Sequence, residues 1–379
     1  MSKHLTKLLS LLSAILLLTA SSPAAERFKN AEPGYRFLFP RDHGAHPDFR
    51  IEWWYFTGNL IAGGKEYGYE LTFFRRGMEH LKGNENPSRW AVRDLYVAHF
   101  ALTDPGRKRF RYADKISRAA LGKAGAESDR LAVWIDRWRA VQENDGTIHL
   151  LAEEKEGERS FKIDLTLNPV KPLVIHGTDG ISRKGNEAGQ ASYYYSFTRL
   201  DTKGTLSIDG EKSAVSGFSW MDHEFGSSLL NKQQVGWDWF SIQLDDGSEW
   251  LLFQVRTVAG GKDPVSSGTA IAPDGTSRHI EAASFELTPI GEWKSGASGG
   301  TYPVRWRIAI PSEQIFLESE PLLEDQELIT ARSTRVIYWE GASRFHGTKG
   351  DHPISGKGYL EMTGYGRGGN LLQTNPHPP

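Results

Sequence analysis

The sequence contains no cysteine. That excludes disulfides, thiol catalysis and every cysteine-bearing metal site, so the core alone has to hold the fold. Charge imbalance is missing too: 45 Lys and Arg stand against 47 Asp and Glu, for a net charge of −2. Such a balance suggests neither nucleic acid nor an anionic membrane surface as a partner. Long apolar runs are scarce. Leu8 to Ala20 is too short to cross a bilayer, and no later stretch approaches the ~20 residues of a spanning helix. With Lys3 and Lys7 before this run and the small residues Ser22-Pro-Ala-Ala25 after it, residues 1–25 read as a cleavable signal peptide. Its removal takes away two lysines and no acid, leaving −4. No cysteine follows the run, so a lipoprotein anchor is excluded. The mature chain is expected to be periplasmic or secreted, with no transmembrane segment.

What the chain does have is a phrase used twice. Residues 52–60 read E-W-W-Y-F-T-G-N-L and residues 236–244 read G-W-D-W-F-S-I-Q-L. A spacing of 184 sets Trp53 on Trp237, Tyr55 on Trp239, Phe56 on Phe240 and Leu60 on Leu244. Each copy then turns through glycine into a second apolar run ending in arginine, Y-E-L-T-F-F-R-R and E-W-L-L-F-Q-V-R. The ends echo as well. Val215–Asp222 resembles Gly356–Thr363, with Gly217 set on Gly358 and Met221 on Met362, and Tyr193–Ser196 upstream resembles Ile337–Glu340. A repeat this long indicates two similar domains in tandem rather than a solenoid. The units are expected at about 30–226 and 227–373.

Both units read as β-structure. Short runs rich in aromatic and β-branched residues recur at Arg50–Leu60, Tyr67–Arg75, Asp94–Thr103, Leu131–Val141, Thr147–Glu153, Ser160–Leu167 and Tyr193–Leu200. Hairpin chemistry separates them, as at Gly63-Gly64, Asn144-Asp-Gly146 and Asp245-Asp-Gly247. Two short segments, Lys115–Gly125 and Glu320–Glu327, are expected to be helical. Eight or more strands per unit in up-and-down order favour closed antiparallel barrels over open sandwiches. On a strand, Trp53 and Tyr55 share one face while Trp54 and Phe56 share the other. These aromatics either pack the core and the domain junction or line a cavity for an apolar ligand, and 12 Trp exceeds what packing alone requires.

The densest polar cluster is Trp220-Met-Asp222-His223-Glu224-Phe225-Gly226, at the boundary between the units. A carboxyl buried among such aromatics would have its pKa raised and stay protonated near neutrality, as acid-initiated chemistry on an alkene requires. His223 would then orient it or act as base. The alternative is a structural latch between the domains. Glu52 and Asp238, each beside the tryptophan of its repeat, are next. Buried, they need a partner such as Arg50, Arg75, Arg76 or Arg256, or a function. His43, His46 and Asp48 lie in a loop with no further histidine cluster at ligand spacing, so no metal is expected. His99 is either a bonded core histidine or part of a pocket. Gly296-Ala-Ser-Gly-Gly300 fits G-x-S-x-G but lacks the strand-turn-helix setting of a nucleophile elbow.

Six segments carry a family resemblance: H-P-D-F-R-I-E-W-W-Y-F-T-G-N-L at 46–60, Ala98–Asp104, Tyr194–Leu200, Trp220–Gly226, Gly236–Gly247 and Gly356–Tyr365. Together they resemble the AttH/CrtC family, which includes carotenoid 1,2-hydratases (hydroxyneurosporene synthases). It also includes exported bacterial proteins labelled secreted hydrolases or AttH components of an ABC-transport system. The resemblance covers essentially all of the mature chain and implies a pair of lipocalin-like β-barrels. Similar fungal cyclisation enzymes bind polyenes between their barrels. The expected agents here are therefore Asp222, Glu224, His223 and Asp238 for chemistry, and Trp53, Tyr55, His99, Trp220, Trp237 and Trp239 for the ligand. The expected activity is cofactor-free, acid-assisted hydration or a related reaction of a polyene, isoprenoid or lipid-like molecule. The competing expectation is a ligand carrier or accessory partner of an ABC transporter.

Overall fold

The computed structural model describes residues 28–78, 92–187, 189–228 and 230–366. The expected signal peptide lies outside the described residues. Among those residues the chain is all-β, with helical backbone confined to three short 3-10 turns. No helix there is long and apolar enough to cross a membrane. Two antiparallel sheets divide the chain between them, and each curls around its own core: two tandem barrels, the first nearly closed and the second a half-barrel.

The same topology builds both. In the first sheet, Ile51–Ala62 pairs on one side with Lys65–Gly77, which leads outward through Asp94–Asp104 to Arg109–Arg118. On its other side it pairs with the last strand, Glu211–Gly226, followed by Ala191–Ile208, Arg159–Pro169 and Ile148–Glu156. In the second sheet, Gln234–Leu244 lies between Glu249–Thr257 and the last strand, His352–Thr363, which pairs with Ile337–Lys349. Each meander is thus zipped first strand to last, and the unpaired seam falls in its middle. In the first barrel a side chain reaches across that seam: the Lys115 ammonium lies 4.5 Å from the Trp138 ring centre.

Parity along the opening strands explains their double Trp-rich pattern. Trp54 and Phe56 point into the first barrel, Phe240 and Ile242 into the second, and both interiors are packed. The other face carries Tyr55 and Trp239, which join Tyr194, Trp220, Phe253 and Tyr359 in a third cluster where the two outer walls meet. A strand buried on both faces reads as a near-continuous apolar run, which is how Ile51–Ala62 reads. Close approach is possible because Gly68 has no side chain. A Cβ there would stand 2.4 Å from Ala342 Cβ and 2.6 Å from the Tyr359 hydroxyl. Glu249, fully buried, ties the walls together through Lys171 at 2.7 Å and Arg199 at 2.5 Å.

Three sequence expectations are corrected. Lys115–Gly125 is not helical: Arg109–Arg118 is the strand beside Asp94–Asp104, and Ala124–Ala126 begins the next hairpin. Glu320–Glu327 is instead the end of strand Ile315–Pro321, a connection, and the start of Glu327–Ile329. Helical spacing in such short windows yielded to sheet pairing. Leu131–Val141 is a hairpin rather than one strand, turned at Asp136 with φ 53°.

A further correction concerns the echoed ends. Tyr55 pairs with Asp222, and its counterpart Trp239 pairs with Glu361. Leu60 pairs with Gly217, and its counterpart Leu244 with Gly356. Asp222 therefore corresponds to Glu361, two residues from where the echo set it. A two-residue slip preserves which face each side chain takes, so the sequence pattern hides it. The Tyr193–Ser196 match holds: Tyr194 pairs with Glu224 and Tyr338 with the corresponding Thr363.

Candidate functional site

Between the packed barrels the outer walls part around a cavity, with about 140 Å³ open to the centres of water-sized molecules. Cavities of about 150 Å³ hold one small aromatic molecule in other proteins. Aromatic residues dominate its wall: Trp53, Tyr55 and Phe74 from the first barrel, Trp237, Trp239 and Phe253 from the second. Each is on the outward face of its strand, so the alternation that fills the barrel cores also furnishes the cavity.

Set among these rings are five carboxyls: Glu70, Asp222 and Glu224 from the first barrel, Glu340 and Glu361 from the second. Among the described residues Lys184 is the one lysine or arginine in the wall, and it pairs with Glu224 at 2.7 Å. The other four carboxyls have no cation among those residues. Burial pushes Asp222 up to about 7 and Glu361 to about 8. It also pushes Glu70 up to about 7, and it raises Glu340 well above the usual carboxyl range, with Glu361 and Glu70 adding like-charge repulsion. Four neighbouring acids in an apolar cavity cannot all ionise, so protons are held there at neutral pH.

Asp222 is the most firmly placed. Its Oδ1 accepts from the Ser196 hydroxyl and, at 2.6 Å, from Trp220 Nε1; its Oδ2 accepts from the Tyr194 hydroxyl at 2.7 Å. Trp239 Nε1 donates in turn to Tyr194 at 3.2 Å, linking the carboxyl to the second barrel. The latch reading required arginine and backbone partners and no cavity; Asp222 has neutral side-chain donors and faces one.

The tyrosines cross between barrels. Tyr55 donates to Glu340 Oε1 at 2.7 Å, and Tyr338 lies 3.3 Å from Glu70 Oε1. His99 Nδ1 is 2.7 Å from the Tyr338 hydroxyl, and burial lowers this histidine to about 3, keeping the ring neutral.

The structure brings together Trp53, Tyr55, His99, Asp222, Glu224, Trp237 and Trp239 as cavity wall. Trp220 stands behind it, bonded to Asp222 and edge-on to Trp239 with ring centres 6.3 Å apart. His223 and Asp238 take the opposite faces of their strands and do not reach the cavity. His223 lies in the first barrel, stacked on Trp54 and bonded through Nε2 to Glu52 at 2.9 Å. Asp238 is held by Gln254 at 2.8 Å, Tyr365 at 3.0 Å and Arg256 at 3.2 Å.

Sequence reasoning missed Glu70, Glu340, Glu361, Tyr194 and Tyr338. A signal was present. All five lie within the repeated segments, at positions whose parity matches Trp53 once strand register is known.

The donor atoms of His46, Glu52 and His223 lie within 4.8 Å of one another and could in principle hold a metal. Their arrangement has another explanation. Arg75, itself buried, donates to Glu52 Oε2 at 2.9 Å, while His46 Nδ1 and His223 Nε2 lie 2.7 and 2.9 Å from Oε1. Burial opposes the charge on Glu52, but the Arg75 guanidinium and the two imidazole contacts outweigh it and hold the carboxyl far below its usual range. A guanidinium already neutralises this site.

The sequence matches the model of the AttH-like family over residues 30–365. No curated protein matches it. The structure is similar to the crystal structure of an assigned AttH from Nitrosomonas europaea, with 37% identity and a TM-score of 0.80, across 90% of this chain and 100% of that one. It is also similar to kievitone hydratase from Nectria haematococca, with 16% identity and a TM-score of 0.63, across 89% of this chain and 98% of that one. At that identity the second likeness is one of fold.

Proposed function

The chain belongs to the AttH-like family, and on that premise we propose that it binds an apolar, unsaturated small molecule between its barrels and hydrates it by acid catalysis. One observation carries this reading: Asp222, raised to about 7 by burial, faces an aromatic cavity without a cation of its own. A carboxyl with a pKa near working pH serves equally as acid and as base. The Asp222 O–H bond breaks as a C–H bond forms at one alkene carbon, leaving positive charge on the other. Trp53, Trp237 and Trp239 offer π-faces to that charge. Water then adds to the cationic carbon, and its proton returns to the Asp222 carboxylate. Tyr194, Ser196 and Trp220 hold the carboxyl through the cycle. The kievitone hydratase fold is compatible with such chemistry. The targeting pattern of residues 1–25 supports work outside the cytoplasm.

Native mass spectrometry and solvent extraction of the purified protein test ligand binding, and a copurifying alkene, polyene or isoprenoid is expected. Asp222→Asn tests the chemistry. The amide keeps the shape, and the Tyr194 hydroxyl can rotate to accept from it, but no transferable proton remains. Turnover of the extracted ligand is expected to fall at least about 100-fold with binding retained. Binding with unaltered turnover would remove Asp222 from the reaction. Binding with no turnover by the native chain would favour a carrier, including an accessory of an ABC transporter.

A further inference from the structure

We propose that the cavity receives positive charge on an apolar ligand, with Glu70 of the first barrel and Glu340 of the second supplying the counter-charge and Trp53, Trp237 and Trp239 the π-faces. This rests on reading the cavity as the ligand site, and it assigns that site a ligand class.

The argument begins with hydrogen bonding. Glu70 and Glu340 are each 1% exposed. Each has one oxygen engaged: Glu70 Oε1 by Thr72 at 2.7 Å and Tyr338 at 3.3 Å, Glu340 Oε1 by Tyr55 at 2.7 Å. The second oxygen of each, Oε2, is buried without a hydrogen-bond partner among the described residues. Other buried acids in this protein are treated differently. Glu52 has Arg75, Glu249 has Lys171 and Arg199, and Asp238 has Arg256. Burying a carboxylate without a partner is costly, and an unmet oxygen adds to that cost. A purely hydrocarbon ligand, with no donor and no charge, would leave both oxygens unmet. A positive centre would satisfy them together, and the surrounding indoles suit the same charge.

Among the described residues no resident group competes for that role. Around the pair stand Asp222 and Glu361, both acids, with the hydroxyls of Tyr55, Tyr338 and Tyr359 and the neutral ring of His99. Lys184 is committed to Glu224. The charge on the ligand has two possible sources. It is permanent, as in an apolar amine or quaternary ammonium, or it arises when an alkene is protonated. In either case one carboxyl gives up its proton as the charge is received. Burial raises Glu70 to about 7 and holds Glu340 well above the usual carboxyl range, so affinity for a fixed cation rises with pH through neutrality.

Two probes of one shape test this on the full chain. Benzyltrimethylammonium and neopentylbenzene differ only in nitrogen against carbon at the branched centre. Titration calorimetry or tryptophan quenching at pH 8 is expected to show the cation binding about tenfold or more tightly than the hydrocarbon. At pH 6 that preference should shrink several-fold, with a proton released on binding. Glu70→Gln and Glu340→Gln should erase the preference while leaving hydrocarbon affinity unchanged, which also shows that the variants retain a folded cavity. Equal affinity for the two probes, or a cation preference that survives both substitutions, overturns the inference and leaves the apolar-ligand reading standing. Failure of both probes to bind overturns both. An amine in the extract of purified protein supports permanent charge; a neutral alkene supports charge formed during reaction.

Discussion

Arg75 and Arg256 occupy equivalent places in the two barrels, paired across their strands with Glu52 and Gly236. Yet the two barrels use them differently. In the first, the segment before the barrel folds back over its end, and Arg75 is 1% exposed between Glu52, Asp94 and the carbonyls of His46 and Phe49. In the second, Arg256 keeps some solvent contact, pairs with Asp238, and lies 3.8 Å from the centre of the Tyr365 ring. Duplication supplied one strand scaffold twice, and the residues around it decided what each copy could afford to bury. The cavity shows the same divergence. Asp222 is saturated by three neutral donors, whereas its counterpart Glu361 has Trp237 for a neighbour and lies beside Glu340.

Replacing the two arginines measures that difference directly. Arg75→Met leaves Glu52 charged and buried with only imidazoles beside it, and is expected to cost about 3–5 kcal/mol. Arg256→Met also leaves a buried acid, but Asp238 keeps Gln254 and Tyr365 as neutral donors. Burial already raises its pKa, so it can take up a proton and the loss should be smaller, about 1–3 kcal/mol. Denaturant midpoints of the two variants are the measurement. Equal losses would mean that the fold-back segment does not isolate the Glu52 network.

Gly68→Ala addresses the contact between the barrels rather than either core. The added methyl meets Ala342 and Tyr359 at distances no relaxed structure keeps, so the walls must separate. The expected cost is about 1–3 kcal/mol, with ligand affinity reduced because the cavity wall shifts. An unchanged melting temperature and unchanged probe binding would show that the interface yields freely at this point.

Much of this architecture was legible in the chain. The repeat placed Trp53 on Trp237, and strand pairing confirms that their strands have equivalent neighbours. Period-two parity separated Trp54 and Phe56 from Trp53 and Tyr55, as the barrel core and the outer wall do. What parity could not supply was the identity of the inner face, or the partner of a face left over. Both units conceal that answer, because their opening strands are apolar on each side. The acids were harder still. Glu70, Glu340 and Glu361 are single residues within apolar runs, and only the meeting of two outer walls turns them into a cluster. Asp222, Glu224 and His223 drew attention as consecutive polar residues, yet a strand sends His223 away from its neighbours. Adjacency in sequence proved a weaker guide than register.

The last effect expected from this comparison is in the pH dependence of stability, and it has opposite signs in the two regions. Glu52 is held below its ordinary range by Arg75, so its contribution is present above the unfolded carboxyl pKa and lost as pH falls. Glu361 is raised to about 8 by burial, so the folded state keeps a proton that the unfolded chain gives up near 4.5. Its contribution is complete below 4.5 and lost as pH rises toward 8. Asp222 and Glu70, both raised to about 7, act in the same direction. Stability should therefore decline from pH 5 to pH 8 through the cavity acids, and decline again in acid through the Glu52 network. Glu361→Gln retains a neutral side chain at every pH and takes one group out of the alkaline limb. Its melting temperature relative to the native chain should improve steadily between pH 5 and pH 8 and then level off. The acid limb should stay as it was, because Glu52 belongs to the other barrel's closed end. A difference between variant and native chain that stays constant across that range would mean Glu361 is ionised in the folded protein, and that the second barrel's wall holds no proton at that position.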